Sequence, residues 1–566
     1  FKKGEKMIIH KIKGLHLDGR RVISLSNGVL EYLNPKYVYI PLTNGDVQYR
    51  NVVSTGNEVL KGSVVALRED RYAHPIHSPV SGKVIGVKKM WHQSGKMVET
   101  LEIENNFKEE VVSDWGKSLD LDALTKQDIV ERVKNCGIVG MGGAGFPTYV
   151  KYMTPRKQKL LIVNAVECEP YLSCDNISVR RHIEKLIRGI GYILKAIGAP
   201  KAVIAIKKDK REVIDVLKKY LEHNNKISIF PLKNFYPAGW ERSIVEKVTK
   251  EHYMLVPTEI GVVVNNAQTV MAVCDAIEEN KPLIERMITI SGEGINFPQN
   301  IFTKVGVTFR DLIDRVGGYI DEEQTGLLIA GGPMTGKTVW DDSLVITSYL
   351  SSVMVFDKEP TIEQPCIGCG KCASVCPAFL VPTEIKRAYE DKNYVDLKKM
   401  HTLDCVQCGL CSYVCPSRVE ITNYVGLAKE ELRKYNLLKK DKEAKMAKKF
   451  VLEKAPFIRR VDNGKVTTNQ IMNDVKIALI PLIIFAWVKN GLLPFISGSS
   501  TFFQMLYPLL FVIVGGLFSI ILEGGYICLF KYYFPNKYVA EKKEFKFKNI
   551  ITDVRNSHGI ITGLLL

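Results

Sequence analysis

The 566-residue chain lacks the charged start and short apolar core of a secretory signal; it opens Phe1-Lys2-Lys3-Gly4. It also lacks a cysteine framework outside one segment. Of its thirteen cysteines, Cys136, Cys168, Cys174, Cys274 and Cys528 show no pairing-type spacing, which excludes a disulfide-stapled scaffold and indicates a reducing compartment. Acidic surplus is missing too. The formal net charge is +17, which raises nucleic acid as a partner, but the excess is local: twelve Lys and Arg face five Asp and Glu between Lys429 and Arg460. The tract Lys439 to Lys449 has no interleaved aromatics and leads into hydrophobic segments, so a membrane surface explains it and nucleic acid does not. An initiator methionine is absent and the chain ends in a rising apolar run at Gly563 to Leu566, so the sequence is expected to be a fragment with an incomplete C-terminal part.

What is present begins with eight cysteines in two runs. Cys366, Cys369, Cys372 and Cys376 precede Pro377, and Cys405, Cys408, Cys411 and Cys415 precede Pro416. Each run reads C-x2-C-x2-C-x3-C-P, the spacing that holds two 4Fe-4S clusters, with the fourth cysteine of each run serving the other cluster. The expected sets are therefore Cys366, Cys369, Cys372 and Cys415, and Cys405, Cys408, Cys411 and Cys376. Structural zinc would leave half of this pattern idle.

The length suggests three or four domains. Val22 to Glu104 reads as short strands and tight turns. Between Leu121 and Leu350, strand-like runs (Leu160 to Val163, Ala202 to Ile206) alternate with helical patterns (Asp128 to Lys134, Ile183 to Ala196, Glu212 to His223), which predicts a doubly wound α/β domain. A smaller strand-turn-helix module follows near Ile288 to Gly318. Two membrane spans are expected, Ile477 to about Ile496 and Phe502 to Leu522, the second with possible continuation to Phe530. Lysines and arginines flank them outside while Ser497 to Thr501 carries none, so both ends face the cytoplasm.

Two glycine-rich loops invite a nucleotide reading. Gly140 to Gly145 satisfies G-x-G-x-x-G, but a helical pattern precedes it instead of the strand a dinucleotide fold requires; its glycines still let backbone N–H groups approach a phosphate, with Lys151 nearby. Gly331 to Thr338 matches the P-loop pattern in full. The residues after Lys337, however, make poor helix, and Pro333 removes an N–H from the cradle, so a P-loop ATPase is disfavoured.

Together the motifs resemble a known set. Gly140 to Lys151, Asn164 to Tyr171, Tyr236 to Glu241 and Val264 to Thr269 are similar to the flavin-site motifs of the NADH-oxidising subunit of respiratory complex I. With His77 to Gly82, Glu167 to Tyr171, Gly331 to Met334 and the paired cysteine runs, residues 10–430 resemble more closely the RnfC family, a component of the Rnf complexes. Beyond residue 455, Ala455 to Arg460 and Thr467 to Val475 resemble the start of RnfD, a membrane component of the same complexes. His77 to Gly82 also resembles biotinyl-type barrels, without an acceptor hairpin for covalent modification.

The resemblance implies a multidomain α/β protein with membrane helices. Its parts would be a β-rich barrel-sandwich-like domain (1–115), a Rossmann-like FMN- and NADH-binding domain (116–285), a β-grasp-like SLBB module (286–355), a helical ferredoxin domain with two 4Fe-4S clusters (356–428), a basic tether (429–470) and a partial RnfD-like membrane domain with transmembrane helices (471–566). Gly140, Gly142, Gly143 and Gly145 would admit the flavin phosphate and ribityl chain, opposed by Lys151. Asn164, Asn265 and Asn266 would hold flavin polar groups, and Phe146, Glu167, Glu169, Tyr236 and Glu241 would line the pocket. Val166 and Met141 replace an acidic residue and an arginine of the complex I protein, so no nicotinamide contacts transfer there. The implied activity is that of a ferredoxin:NAD oxidoreductase component of an ion-translocating complex, with FMN and two clusters as cofactors and NAD(H) as substrate. Implied partners are other Rnf subunits, ferredoxin through one of them, and the cytoplasmic side of the plasma membrane. An RnfC-like adaptor that delivers NADH electrons to another reductase is the alternative.

Overall fold

The computed structural model describes residues 13–44, 47–321, 326–357, 362–449, 477 and 480–514. The chain divides into two compact units, Phe1–Asn436 and Leu437–Leu566. Near the start, short β-branched stretches form two antiparallel sheets. One runs in the order Tyr37–Pro41, Lys96–Asn105, Gly82–His92, Glu58–Val59, the other Arg50–Asn51, Val64–Arg68, His74–His77. They share a core of Val38, Ile40, Val65, Val84, Leu101 and Ile103. Between Leu101 and Ile103, Glu102 takes the opposite face and pairs with Lys88 at 2.9 Å. A Cβ at Gly82 would lie 1.9 Å from the Glu104 carbonyl oxygen, so the close approach of the strands there requires glycine.

Four apolar runs then form a parallel sheet in the order Ile227–Leu232, Ala202–Lys207, Leu160–Ala165, Val262–Asn266. Helices cover both faces, which is why these strands are continuously apolar instead of alternating. Lys126–Asn135, Ile183–Ile197 and Ala267–Glu279 bury Leu161 and Val163 on one face. Glu241–Thr249 packs Ile244 and Val245 against Ile162 and Val264 on the other. The order reverses between Leu160–Ala165 and Val262–Asn266, and the crevice beyond the C-terminal ends of such strands is where α/β sheets bind ligands.

A six-stranded mixed sheet follows, in the order Val29–Tyr32, Gln299–Lys304, Glu285–Ser291, Ser352–Phe356, Leu327–Ala330, Lys337–Val339, with Phe309, Leu312 and Ile313 of one helix in its core. Val29–Tyr32 comes from the beginning of the chain and runs parallel to Gln299–Lys304. The P-loop look-alike sits here as a β-hairpin: Ala330 faces Lys337 across an antiparallel pair, and strand, not helix, follows the lysine. No helix N-terminus is presented to a phosphate at Lys337, which removes the physical basis for the ATPase reading.

The two cysteine runs share one backbone design. Gly368 and Gln407 (φ 67° and 50°), Gly370 and Gly409 (φ 69° and 81°), and Phe379 and Arg418 (φ 57° and 54°) are left-handed at matching positions. Short helices, Lys371–Val375 and Leu410–Tyr413, begin directly after the second glycine position of each run. Pro382–Glu390, Tyr394–Lys399 and the long helix Ile421–Lys449 complete the module around Leu380, Ile385, Leu397, Val425 and Leu432.

In the second unit, residues 480–496 are helical with a π-turn at Val488–Leu492, a turn follows at 497–500, and helix resumes at 502–514. The expected transmembrane helices are not found: among the described residues, no helix is long and apolar enough to cross a membrane. The π-turn falls where Lys489 and Asn490 interrupt the first expected span. From residue 515 onward the second expected span lies outside the described residues, as do residues 450–470 of the expected tether.

Candidate functional site

The parallel sheet sets the crevice. Its switch-point strands align Val163 with Asn265 and Asn164 with Asn266, so the three expected asparagines stand together at the C-terminal ends. Asn164 accepts from the Val166 N–H at 3.0 Å and donates to the Gly239 carbonyl at 3.0 Å. Asn265 donates to the Tyr152 hydroxyl at 3.0 Å, while its buried Oδ1 has no partner among the described residues. Asn266 caps the helix Ala267–Glu279 by accepting from the Gln268 N–H at 2.9 Å, and donates to Asp175 at 2.7 Å.

The glycine loop closes against this end of the sheet. Gly140 N–H donates to the Phe146 carbonyl at 2.8 Å and Gly145 N–H to the Gly140 carbonyl at 3.2 Å, which folds Gly140 to Phe146 into a tight turn. Met141 N–H is anchored on Thr269 Oγ1 at 2.9 Å, and a Cβ on Gly142 would touch Asn266 at 3.4 Å. Gly143 has φ 109°, a conformation that favours glycine. Gly142, Gly143 and Ala144 are exposed, and their N–H groups have no backbone partner among the described residues. The Phe146 ring packs edge-on against Tyr72 at 5.3 Å.

Lys151 donates to the Val264 carbonyl at 2.8 Å and lies 4.0 Å from Glu241. Burial lowers its pKa, and Glu241 opposes the shift. Glu167 accepts from the Asp175 N–H at 3.0 Å, but its Oε2 is buried without a partner among the described residues. Its carboxyl is pushed up to about 7, first by burial and then by Asp175, with Arg21 opposing. Glu169 and Tyr236 are engaged elsewhere. Glu169 accepts from Thr335 Oγ1 at 2.6 Å and the Met334 N–H at 3.1 Å, and burial raises its pKa. The Tyr236 hydroxyl donates to the Cys408 carbonyl at 2.6 Å.

That last bond joins the parallel-sheet domain to the cysteine module. Leu17, Tyr236 and Leu410 form a small buried core there, with Cys168, Met334 and Cys408 packed against it. Cys376, Cys405, Cys408 and Cys411 lie near one another: the Cys408 thiol is pushed up to about 12 by burial and then by Cys411, Cys376 and Cys405. Cys405 and Cys376 sulfurs accept from the Gln407 and Leu380 N–H groups at 3.3 and 3.4 Å. Cys366 and Cys369 are exposed, Cys372 is buried and Cys415 is partly buried. No described cysteine is in a disulfide, and no three His, Cys, Asp or Glu among the described residues form a ready single-ion site.

Residues 9–108 match the RnfC barrel sandwich hybrid domain, 133–275 the Nuo51 FMN-binding domain, and 365–419 a 4Fe-4S dicluster domain. The chain is 33% identical over 429 residues to the C subunit of the proton-translocating ferredoxin:NAD(+) oxidoreductase complex of Clostridium ljungdahlii, covering 74% of this chain and 93% of that protein. The chain belongs to the RnfC family. It is also 33% identical to the C subunit of the Na(+)-translocating ferredoxin:NAD(+) oxidoreductase complex of Acetobacterium woodii, over 64% of this chain and 83% of that one. The C subunit of the ion-translocating oxidoreductase complex of Rhodobacter capsulatus is 31% identical, over 66% and 73%.

Within this RnfC chain, the sequence reading missed several supports. Thr269 lies within a motif read from the sequence, so its anchoring of the glycine loop had a local signal. Asp175, which ties Asn266 and Gln268 together at 2.7 and 2.8 Å, had none, because its partners lie about 90 residues away. Arg21 likewise reaches across to donate to the Glu167 and Glu169 carbonyls at 2.9 and 2.8 Å.

Proposed function

We propose that this chain is the NAD(H)-reactive flavin and iron-sulfur electron-transfer subunit of a membrane-bound Rnf-type complex that couples ferredoxin:NAD electron exchange to ion movement. The observation that carries the reading is the junction at Tyr236 and Cys408, where the parallel-sheet domain and the cysteine module share a hydrogen bond and a small buried core. The crevice fits FMN. Its exposed loop N–H groups suit a phosphate, and the unpartnered oxygens of Asn265 and Glu167 are polar groups that a ligand's donors would satisfy. The cysteine module fits clusters, since backbone N–H groups already point at Cys376 and Cys405 sulfurs and the ligand runs share one loop design. When bound, FMN supplies exchange between two-electron and one-electron chemistry, and the clusters carry single electrons.

The chain's own groups divide the work. Gly140 and Gly145 shape the loop, Gly142 and Gly143 expose its amides, and Lys151 adds positive charge beside Glu241. Asn164, Asn265 and Asn266 hold polar edges of the flavin. Phe146 braces the loop from outside, and Glu167 borders the crevice as a carboxyl that changes charge near neutrality. Glu169 and Tyr236 serve the junction. Cys366, Cys369, Cys372 and Cys415 hold one cluster, and Cys376, Cys405, Cys408 and Cys411 the other. The proposed domain limits are those expected from the sequence, save that Val29–Tyr32 pairs into the six-stranded sheet. The stretch from about 455 is proposed as the beginning of an RnfD-like membrane part, on the strength of Thr467 to Val475. Its test is whether the expressed chain resists carbonate extraction from membranes; complete release would reject the membrane part.

The test of the main reading uses the whole chain reconstituted with FMN and iron-sulfur. NADH should bleach the flavin and support dye reduction. Absence of both, with FMN and about eight irons bound per chain, would sink the proposal.

A further inference from the structure

A cavity of about 270 Å3 lies where the helices Cys174–Arg181 and Ala267–Glu279 meet the strand Glu285–Ser291. None of the three expected asparagines lines it, although Met141 of the glycine loop and Gln268 do. Met271, Leu283 and Phe302 give it an apolar wall, and Arg181 and Arg286 bring charge to it.

The charges do not cancel. Two acids in the wall are already committed: Asp275 pairs with Lys185 at 2.5 Å, and Glu285 pairs with Lys281 and Lys304 at 2.6 and 2.7 Å. Glu31 is exposed at the rim. Arg286 is only 1% exposed, yet it meets carbonyls alone, donating through Nε to Met287 at 3.2 Å and through Nη1 to Ser348 at 2.8 Å. Its Nη2 is buried with no partner among the described residues. Arg181 is exposed at the same cavity and forms no ion pair among the described residues.

A buried cationic donor left without an acceptor is costly, and a water can satisfy its N–H but not its charge. An anion does both, and a guanidinium favours planar or tetrahedral oxyanions because its donors match their spacing. Burial lowers the Arg286 pKa, and the nearby Cys174 and Asp175 oppose this. The cavity is too small for a macromolecular segment of any length, and its walls are partly apolar.

We propose that this cavity binds a small oxyanion, a carboxylate or a phosphate monoester, with its charged head between Arg286 and Arg181 and its apolar body against Met271, Leu283 and Phe302. The cavity shares Met141 and Gln268 with the margin of the flavin-type crevice, but none of the residues assigned to hold flavin lines it.

Calorimetric titration of the whole chain at constant ionic strength, with inorganic phosphate and separately with benzoate against a chloride background, tests it. One saturable site per chain in the millimolar range or tighter is expected, with a rise in melting temperature. Tighter benzoate binding assigns a carboxylate ligand and tighter phosphate binding a phosphate ligand. Arg286→Met should weaken binding at least about tenfold. Because that variant alters a buried position, two others guard the test: Arg181→Glu, at an exposed site, should weaken binding several-fold, and Ala272→Trp should fill the cavity and abolish it. No saturable binding of either probe would overturn the proposal. So would binding that Arg181→Glu and Ala272→Trp leave unchanged.

Discussion

The two cysteine runs differ in almost nothing local and in almost everything around them. Their left-handed positions coincide, yet residues 362–371 of the first run are all exposed while Gly409 and Leu410 of the second are buried. A Cβ on Gly370 would meet nothing within 4 Å, whereas one on Gly409 would lie 2.4 Å from the Met334 carbonyl oxygen. The same loop is thus solved twice for its ligands and only once for a neighbour. Repetition in sequence speaks for shared chemistry, and asymmetry in packing speaks for distinct positions in the molecule.

The largest contrast should come from the ligands themselves. Cys369→Ala and Cys408→Ala are each expected to halve bound iron, from about eight to about four per chain, while flavin bleaching by NADH continues. Iron analysis and absorbance check this; loss of all iron in either variant would show that the two sets are not independent.

Next in size is the glycine pair. Gly409→Ala adds a backbone clash to left-handed strain and should cost more than about 3 kcal/mol. Gly370→Ala carries the strain alone, about 1 kcal/mol. Equal shifts in denaturant midpoint would erase the packing difference between the runs.

The parallel-sheet domain carries a pH handle of its own. Glu167 has a folded pKa of about 7, above its ordinary 4.5. Between these values the folded chain holds a proton that the unfolded chain has released, so stability falls as pH rises through this window. The full effect is about 3 kcal/mol, present below pH ~4.5 and lost above pH ~7. Glu167→Gln should flatten that fall and raise the melting temperature at pH 8; an unchanged pH profile would place the titration elsewhere. Smallest is Tyr236→Phe. Removing the hydroxyl leaves the Cys408 carbonyl without its donor and should cost about 1 kcal/mol, with no counterpart in the first run. Urea melts of the reconstituted chain would register it, and a neutral result would make the junction a mere proximity.

Legibility in the sequence tracked the range of the interactions. Two of the four parallel strands, Leu160–Ala165 and Ala202–Lys207, were readable because burial on both faces demands an uninterrupted apolar run. The helix expected from Asp128 begins two residues earlier, at Lys126, because the Thr125 side chain and Asp128 close a capping box. The P-loop look-alike was doubtful for a local reason too, the strand-forming residues after Lys337. In the second unit, Val488–Leu492 forms a π-turn inside the first expected span, and no helix among the described residues is long and apolar enough to cross a membrane, while the second expected span continues past residue 514, outside the described residues. Glu169 and Tyr236 were read as pocket lining, since their motif lies beside the crevice; their hydrogen bonds to Thr335 and Cys408 come from segments more than 160 residues away.

By itself, then, the sequence determined the dicluster spacing of its cysteines and the family. Cysteine spacing, glycine placement and apolar runs act within a turn or a strand, and a few neighbouring residues suffice to dictate them. Only the tertiary structure decided what those parts meet. The lending of Val29–Tyr32 to a sheet some 270 residues later, the burial of one cysteine run against Met334 and Tyr236, and the burial of the Arg286 guanidinium all depend on packing between distant elements. A contact of that kind is the joint outcome of several surfaces, and no single stretch of chain encodes it.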